Sequence, residues 1–362
     1  MLKRSILLIS LGLGLNTSAA TTAQSVIEGY TNLVYKTYTE SLDKAITLQE
    51  DVEFFISNPG VMTLEMARES WRQARAPYGQ SEVFRFYNGP IDSDEGPEGL
   101  LNAWPLDEAY IDYVEGAPNA GIVNNIADYP VINKEVLSSL NELNGEKNIS
   151  TGYHAIEFLL WGQDLSVDGA GDRPHTDYVI GLGQNAERRA VYLSTVTDLL
   201  IDHLTELVDA WAPNKENYRA AFEAKDQKEA LNNILSGMIY MSGDELSGER
   251  MFVAWETQGQ EDEHSCFSDM THMDIQWNFW GVANILKATG ILGLTDNTVL
   301  TTTIDNRVAK INKMLAGLPV PFDQAILDEN ARPEILASIE EMEQLAIELV
   351  EVSEELETPV QW

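Results

Sequence analysis

Residues 23–57, AQSVIEGYTNLVYKTYTESLDKAITLQEDVEFFIS, decide the fold class. Val26, Tyr30, Val34, Tyr38, Leu42 and Ile46 recur at a helical interval and place an apolar stripe along one long helix. Asn58-Pro59-Gly60 then stops it, because proline cannot continue the hydrogen-bond ladder and glycine favours a turn. The same style of pattern predicts helices over 62–78, 106–114, 119–127, 131–143 and from Gly152 to Gly162. Beyond these it predicts 176–211, 215–240, 244–258, 269–289, 297–316 and 333–357. Pro333 suits a helix start, where its missing N–H costs nothing. Residues 88–105 and 164–174, rich in Gly, Pro, Asp and Asn, read as ordered loops. No alternation, hairpin or βαβ pattern occurs. The expected architecture is all-α, as two helical-bundle halves. Pro213 marks the boundary, which gives an N-terminal half over 21–212 and a C-terminal half over 213–362.

A chain of 362 residues is long enough for about two compact domains. Its hydrophobic fraction of 44% supplies a substantial core, so general disorder is excluded despite the charge. The 58 acidic against 23 basic side chains leave a formal net charge of −35. Such a surface repels phosphate backbones, which removes nucleic acid from the partners, and it attracts cations. Residues 1–20 read as a signal peptide. Lys3 and Arg4 precede an apolar run, Ile6 to Leu15, that is too short to span a bilayer, and the small residues Ser18, Ala19 and Ala20 follow. Export is therefore expected. In an oxidising compartment the lone Cys266 offers no internal disulfide, so the core must rest on packing.

Three stretches concentrate chemistry. In GYHAIEFLLWG, residues 152–162, His154 and Glu157 stand three apart and share a helix face, close enough to chelate one ion or to bond each other in a packed interface. Gly152 lets another backbone approach the helix start. The second stretch, QEDEHSCFSDMTH, residues 260–272, pairs Glu261 with His264 and Asp269 with His272 at the same spacing. It reads as a possible second donor cluster for iron, zinc or manganese, or as an acidic helix start. The third, WRQARAPYGQSEVFRFYNGPID, residues 71–92, holds Arg75, Ser81 and Arg85 as groups that could hold an anionic ligand or support a carboxylate cluster. Zinc peptidases of the two common helical types need His-Glu-x-x-His or His-x-x-Glu-His. Phe158 stands where the inverted motif requires its second histidine.

Gly152-x-His154-x-x-Glu157 resembles the signature of the imelysin-like family, and the stretches at 71–92 and 260–272 are similar to its iron-regulated protein A branch. The resemblance extends over nearly the whole mature chain. It implies two bundle-like halves related by a pseudo-two-fold, a site near their junction, export to the periplasm or outer membrane, and a link to iron supply. The family was first named for peptidase activity, which the missing zinc motifs argue against here. A related branch of periplasmic iron-binding proteins implies His154 and Glu157 as metal ligands. By similarity of the upstream arginine and glutamate, it also implies Glu82 as a ligand and Arg75 as a supporting group. The expected function is metal binding in iron uptake or homeostasis. The expected cofactor is a metal ion, iron first and zinc or another divalent ion otherwise. The expected partners are that ion or a small ligand and an envelope iron-transport component. An atypical metallopeptidase and a metal-free ligand-binding module are the alternatives.

Overall fold

A computed structural model describes residues 21–166 and 169–362. The expected signal peptide at 1–20 lies outside the described residues. Among the described residues the protein is all-α: no strand forms, and only the isolated bridges Val114–Ala117 and Ile180–Gly183 have β geometry. Eight α-helices of ten residues or more carry the fold. They are α1 (Ala23–Ser57), α2 (Val61–Ser81), α3 (Gly152–Trp161), α4 (Ala186–Trp211), α5 (Gln227–Tyr240), α6 (Thr271–Thr289), α7 (Thr298–Leu315) and α8 (Arg332–Glu355). None of the described helices is long and apolar enough to cross a membrane.

Helix α1 runs over the predicted span. Thr22 caps it, accepting from the Ser25 N–H at 3.1 Å, while the Ser25 hydroxyl accepts in return from the Thr22 N–H. Its buried face does not follow the expected stripe to the end. Val26, Tyr30, Val34 and Tyr38 are buried, but the face then passes to Ser41, Ala45, Leu48, Val52 and Phe55, and Ile46 is exposed. Steps of four drift about 40° around a helix of 3.6 residues per turn, so only alternating steps of three and four hold one side.

Three predicted spans are broken, each for a local reason. The helix expected from 176 begins only at Ala186. A short 3-10 turn, His175–Tyr178, comes first, followed by Gly181 at φ +86° and Asn185 at φ +53°. Both residues adopt left-handed backbone that a continuing helix excludes. The span 215–240 is split into Tyr218–Glu223 and α5, and Asp226 caps the latter by accepting from the Lys228 N–H. The span 244–258 belongs to a π-helix, Met241–Phe252, that continues α5 without interruption and ends in a short α-turn, Val253–Thr257.

Helix α1 packs on α2 and α4, and also on α5 and α6 from beyond residue 213. Buried apolar residues on both sides of that position belong to one continuous cluster. Tyr30 of α1, for example, stacks on Phe222 at 5.5 Å and meets Trp211 edge-on at 6.1 Å. Helix α8 closes the far side against the π-helix, α5 and α7. This packing brings the start of α3, the end of α2, the start of α6 and the π-helix to one place.

Candidate functional site

Every residue of α3 is buried, and its position is set at its first residue. Gly152 adopts φ +84°, and a Cβ there would lie 2.5 Å from the Leu101 carbonyl oxygen, so the backbone approach requires glycine. The Trp71 indole N–H of α2 donates to the Tyr153 carbonyl at 2.9 Å and pins the same turn. His154 and Glu157 therefore project inward together, both essentially without solvent exposure.

His154 Nδ1 lies 2.9 Å from Glu157 Oε2. Its other ring nitrogen, Nε2, faces His264 Nε2 at 3.1 Å. His264 Nδ1 in turn lies 3.0 Å from Asp274 Oδ2, and Arg75 pairs with Asp274 through Nη2 at 2.6 Å and Nε at 3.3 Å. The outer oxygen of Glu157 accepts from the Ser268 N–H at 2.9 Å and hydroxyl at 2.7 Å. The result is a buried chain from Ser268 through Glu157, His154, His264 and Asp274 to Arg75. Trp104 flanks it, with its ring 4.8 Å from that of His154.

Burial, the neighbouring imidazole and Arg75 hold His154 well below the ordinary histidine range. Burial and the Arg250 guanidinium lower His264 to about 4. Both rings are therefore neutral at physiological pH. Burial raises Asp274, but Arg75 and the His264 hydrogen bond outweigh it and keep the carboxylate ionised. Among the described residues no cation pairs with Glu157 directly; burial raises it to about 8 against the two Ser268 bonds. The two carboxylates differ because one has a guanidinium in contact and the other does not.

Glu82 stands one hydrogen bond further out. Asn102 Nδ2 donates to Glu82 Oε2 at 3.1 Å and lies 3.5 Å from His264 Nε2, while Asn102 Oδ1 accepts from Arg75. Glu82 Oε2 is also bound by Arg250 and Arg85, whose charges outweigh burial and bring the carboxyl down to about 2. Its Oε1 is buried without a hydrogen-bond partner. Arg250 is aimed by the π-helix. Glu245, five residues back, accepts from its Nε at 3.0 Å and its Nη2 at 2.6 Å, the spacing that a π-turn aligns.

The structure thus brings His154, Glu157 and His264 into direct contact, with Arg75 bound through Asp274 and Glu82 reached through Asn102. The proposed second cluster does not assemble. Glu261 is exposed and Asp269 and His272 are half-buried, and the hydrogen bonds of the His154–Glu157 pair run to His264 and Ser268 instead. The three-residue spacing there presumed a helix, but Ser265 at φ +64° and Asp269 at φ +56° turn the chain, and α6 starts only at Thr271. Ser81 merely caps its own helix, donating to the Tyr78 carbonyl at 2.7 Å. Arg85 is held by Glu82, Glu98 and Glu245. Among the described residues, no three His, Cys, Asp or Glu side chains converge as a ready-made metal-holding group. The physical reason is that Glu157 and Asp274 sit behind the imidazoles and Glu82 is committed to arginines. Cys266 is a buried thiol raised by that burial, which makes it inert.

Asp274, Asn102, Arg250, Trp104 and Ser268 escaped the sequence reading. Asp274 lies ten residues after His264, and Arg250 depends on a π-period that helical templates of 3.6 residues do not contain. A cavity of about 280 Å³ opens onto His264, Asn102, Trp104 and Arg250. A larger cleft of about 500 Å³ lies at the other end of α3, around Trp161, Arg173 and Pro174, and its lining does not include either histidine of the pair.

The family model described as Imelysin matches residues 34–349. Iron-regulated protein A of Synechococcus elongatus is 25% identical over 342 residues, which cover 89% of this chain and 83% of that protein. A crystal structure described as an iron-regulated protein A precursor from Parabacteroides distasonis superposes with a TM-score of 0.72 at 17% identity, covering 92% of this chain and 96% of the other. An imelysin-like protein from Psychrobacter arcticum superposes with a TM-score of 0.63, also at 17% identity, over 95% and 100% of the two chains. At that identity the two structures speak for the fold alone. With residues 34–349 of the 362 matched by the family model, the chain belongs to the imelysin family.

Proposed function

We propose that this protein is an exported metal-binding protein that acts in iron uptake or homeostasis, with the paired imidazoles of His154 and His264 as the metal-facing groups. The observation that carries this reading is the mutual orientation of the two rings. Each Nδ1 is held by a carboxylate, and the two Nε2 atoms face one another at 3.1 Å. When the Nδ1–H groups donate to Glu157 and Asp274, two lone pairs point at one spot, an arrangement that a cation stabilises. A carboxylate behind a ligating histidine fixes its tautomer and raises its basicity. The separation also suits two nitrogens sharing one ion at metal–nitrogen distances of about 2.0–2.1 Å. Glu157 serves here as the orienting carboxylate behind His154. Glu82 serves as a reserve acidic group whose free Oε1 is already desolvated.

Iron comes first because the Synechococcus relative is named as iron-regulated. Export to the periplasm or envelope is supported by the leader-like residues 1–20 and by the precursor description of the Parabacteroides protein. Delivery to an envelope transport component would follow capture. Titration of the purified protein with ferrous, ferric, zinc and manganese ions, followed calorimetrically, tests the site. Binding that His264→Ala and His154→Ala each remove supports it, and affinities untouched by both substitutions refute it.

A further inference from the structure

The cavity that reaches His264 has a charge pattern bearing on the form in which metal arrives, an inference that rests on the metal-binding reading of the histidine pair. Its walls carry five carboxylates, Glu98, Glu142, Glu245, Glu249 and Asp262, against two guanidiniums, Arg85 and Arg250. Both cations are already committed. Arg250 donates to Glu245, Glu82 and Asn278, and Arg85 is paired with Glu82, Glu98 and Glu245. Arg85 keeps one buried Nε–H without a partner, a single donor beside three carboxylates. Glu142 and Glu249 are exposed and Asp262 is half-buried, and none of the three has a cationic partner among the ion pairs of the described residues. The cavity lining therefore carries more negative than positive charge, with three acids lacking a cationic partner, while Arg250 is the charge that acts most strongly on His264 itself.

We propose that this cavity admits metal as the hydrated cation and rejects metal carried in anionic chelates. A low-dielectric, acid-lined cleft concentrates cations and repels anions. The volume agrees with the charge: about 280 Å³ is the space of roughly nine waters, enough for an ion with one complete hydration shell. Anionic siderophore complexes, metal citrates and the two propionates of a haem would each set negative charge against unpaired Glu142, Glu249 and Asp262. The same acids would hold a hydrated ion by its waters until the imidazoles displace them.

The test compares free metal ions with anionic metal complexes on the full mature protein. Ferrous chloride under anaerobic conditions and zinc chloride are set against ferric citrate and haemin, with stopped-flow capture and equilibrium dialysis as readouts. The chloride salts are expected to bind, and the anionic forms to bind at least a hundredfold more weakly. Capture of the free ions should slow about tenfold between low and high salt, and about tenfold at low salt in the Glu142→Gln, Glu249→Gln, Asp262→Asn variant. The salt series on the unmodified protein gives the same answer without depending on the variant's folding. Citrate or haem binding as tight as the free ion overturns the proposal, and so does a capture rate indifferent to salt and to the three substitutions. If neither free ions nor chelates bind, the metal reading of the histidine pair fails, and this inference with it.

Discussion

Two regions build the same unit from opposite kinds of backbone. At the start of α3, His154 and Glu157 are brought together by regular helical spacing, and Gly152 sets the depth of the turn. Across from them, His264 and Asp274 are ten residues apart and meet because the chain turns twice before α6 begins. Each unit is an imidazole with a carboxylate on Nδ1, yet their electrostatics differ. Asp274 is held ionised by Arg75, whereas Glu157 has only neutral donors and rises to about 8. The comparison teaches that equivalent geometry does not confer equivalent charge. The unit written locally in the sequence is the uncompensated one, and the unit assembled by the fold is anchored by a guanidinium.

The sharpest way to break this comparison is to remove one ring at a time. His154→Ala and His264→Ala are each expected to weaken metal binding by more than a hundredfold, measured by calorimetry, because a pair sharing one ion loses its site when either member goes. Unequal losses would show that one unit alone holds the ion. Replacing the carboxylates separates binding from stability. Glu157→Gln and Asp274→Asn should each cost about 10–100-fold in affinity. Asp274→Asn should also destabilise the metal-free protein by about 3–5 kcal/mol in denaturant unfolding, because it leaves Arg75 buried without its counter-charge. Glu157→Gln leaves no such charge, and its unfolding midpoint at neutral pH should be unchanged or raised.

The pH profile of stability sharpens the same contrast. Glu157 has a folded value near 8, above its ordinary carboxyl value of 4.5, so the folded state binds more protons between those values. Its contribution is complete below about 4.5 and is lost as pH rises toward 8. His264, lowered from 6.5 to about 4, has the opposite slope: its contribution is present above 6.5 and is lost as pH falls toward 4. The two slopes oppose each other between pH 4.5 and 6.5, so these groups place the stability maximum of the metal-free protein in that window, with losses on the order of 1–2 kcal/mol on either side of it. Glu157→Gln should flatten the alkaline limb and let the acid limb extend up to pH 6.5, as read by unfolding midpoints across pH 4–9. A smaller effect is expected at the backbone. Gly152→Ala, which combines φ +84° with a close approach to Leu101, should cost about 1–3 kcal/mol.

The helical class, the span of α1, the extent of α3 and the shared helix face of His154 and Glu157 were legible because each depends on contacts within four residues. The π-helix was not, because a 3.6-residue template divides Met241–Phe252 wrongly and so misses the partnership of Glu245 with Arg250. The expected cluster of Glu261, His264, Asp269 and His272 failed for a related reason: spacing predicts proximity only where the backbone is helical, and there it turns.

By itself, then, the sequence determined an acidic all-α chain with a His-x-x-Glu pair on one helix face, since composition and short-range periodicity are local properties. Tertiary structure alone decided that His264 faces His154, that Asp274 and Arg75 anchor it, and that Glu82 is held one bond away by Arg250. Those contacts join residues from ten to 199 positions apart. Their geometry is set by how α2, α3, α6 and the π-helix pack, which no local pattern encodes.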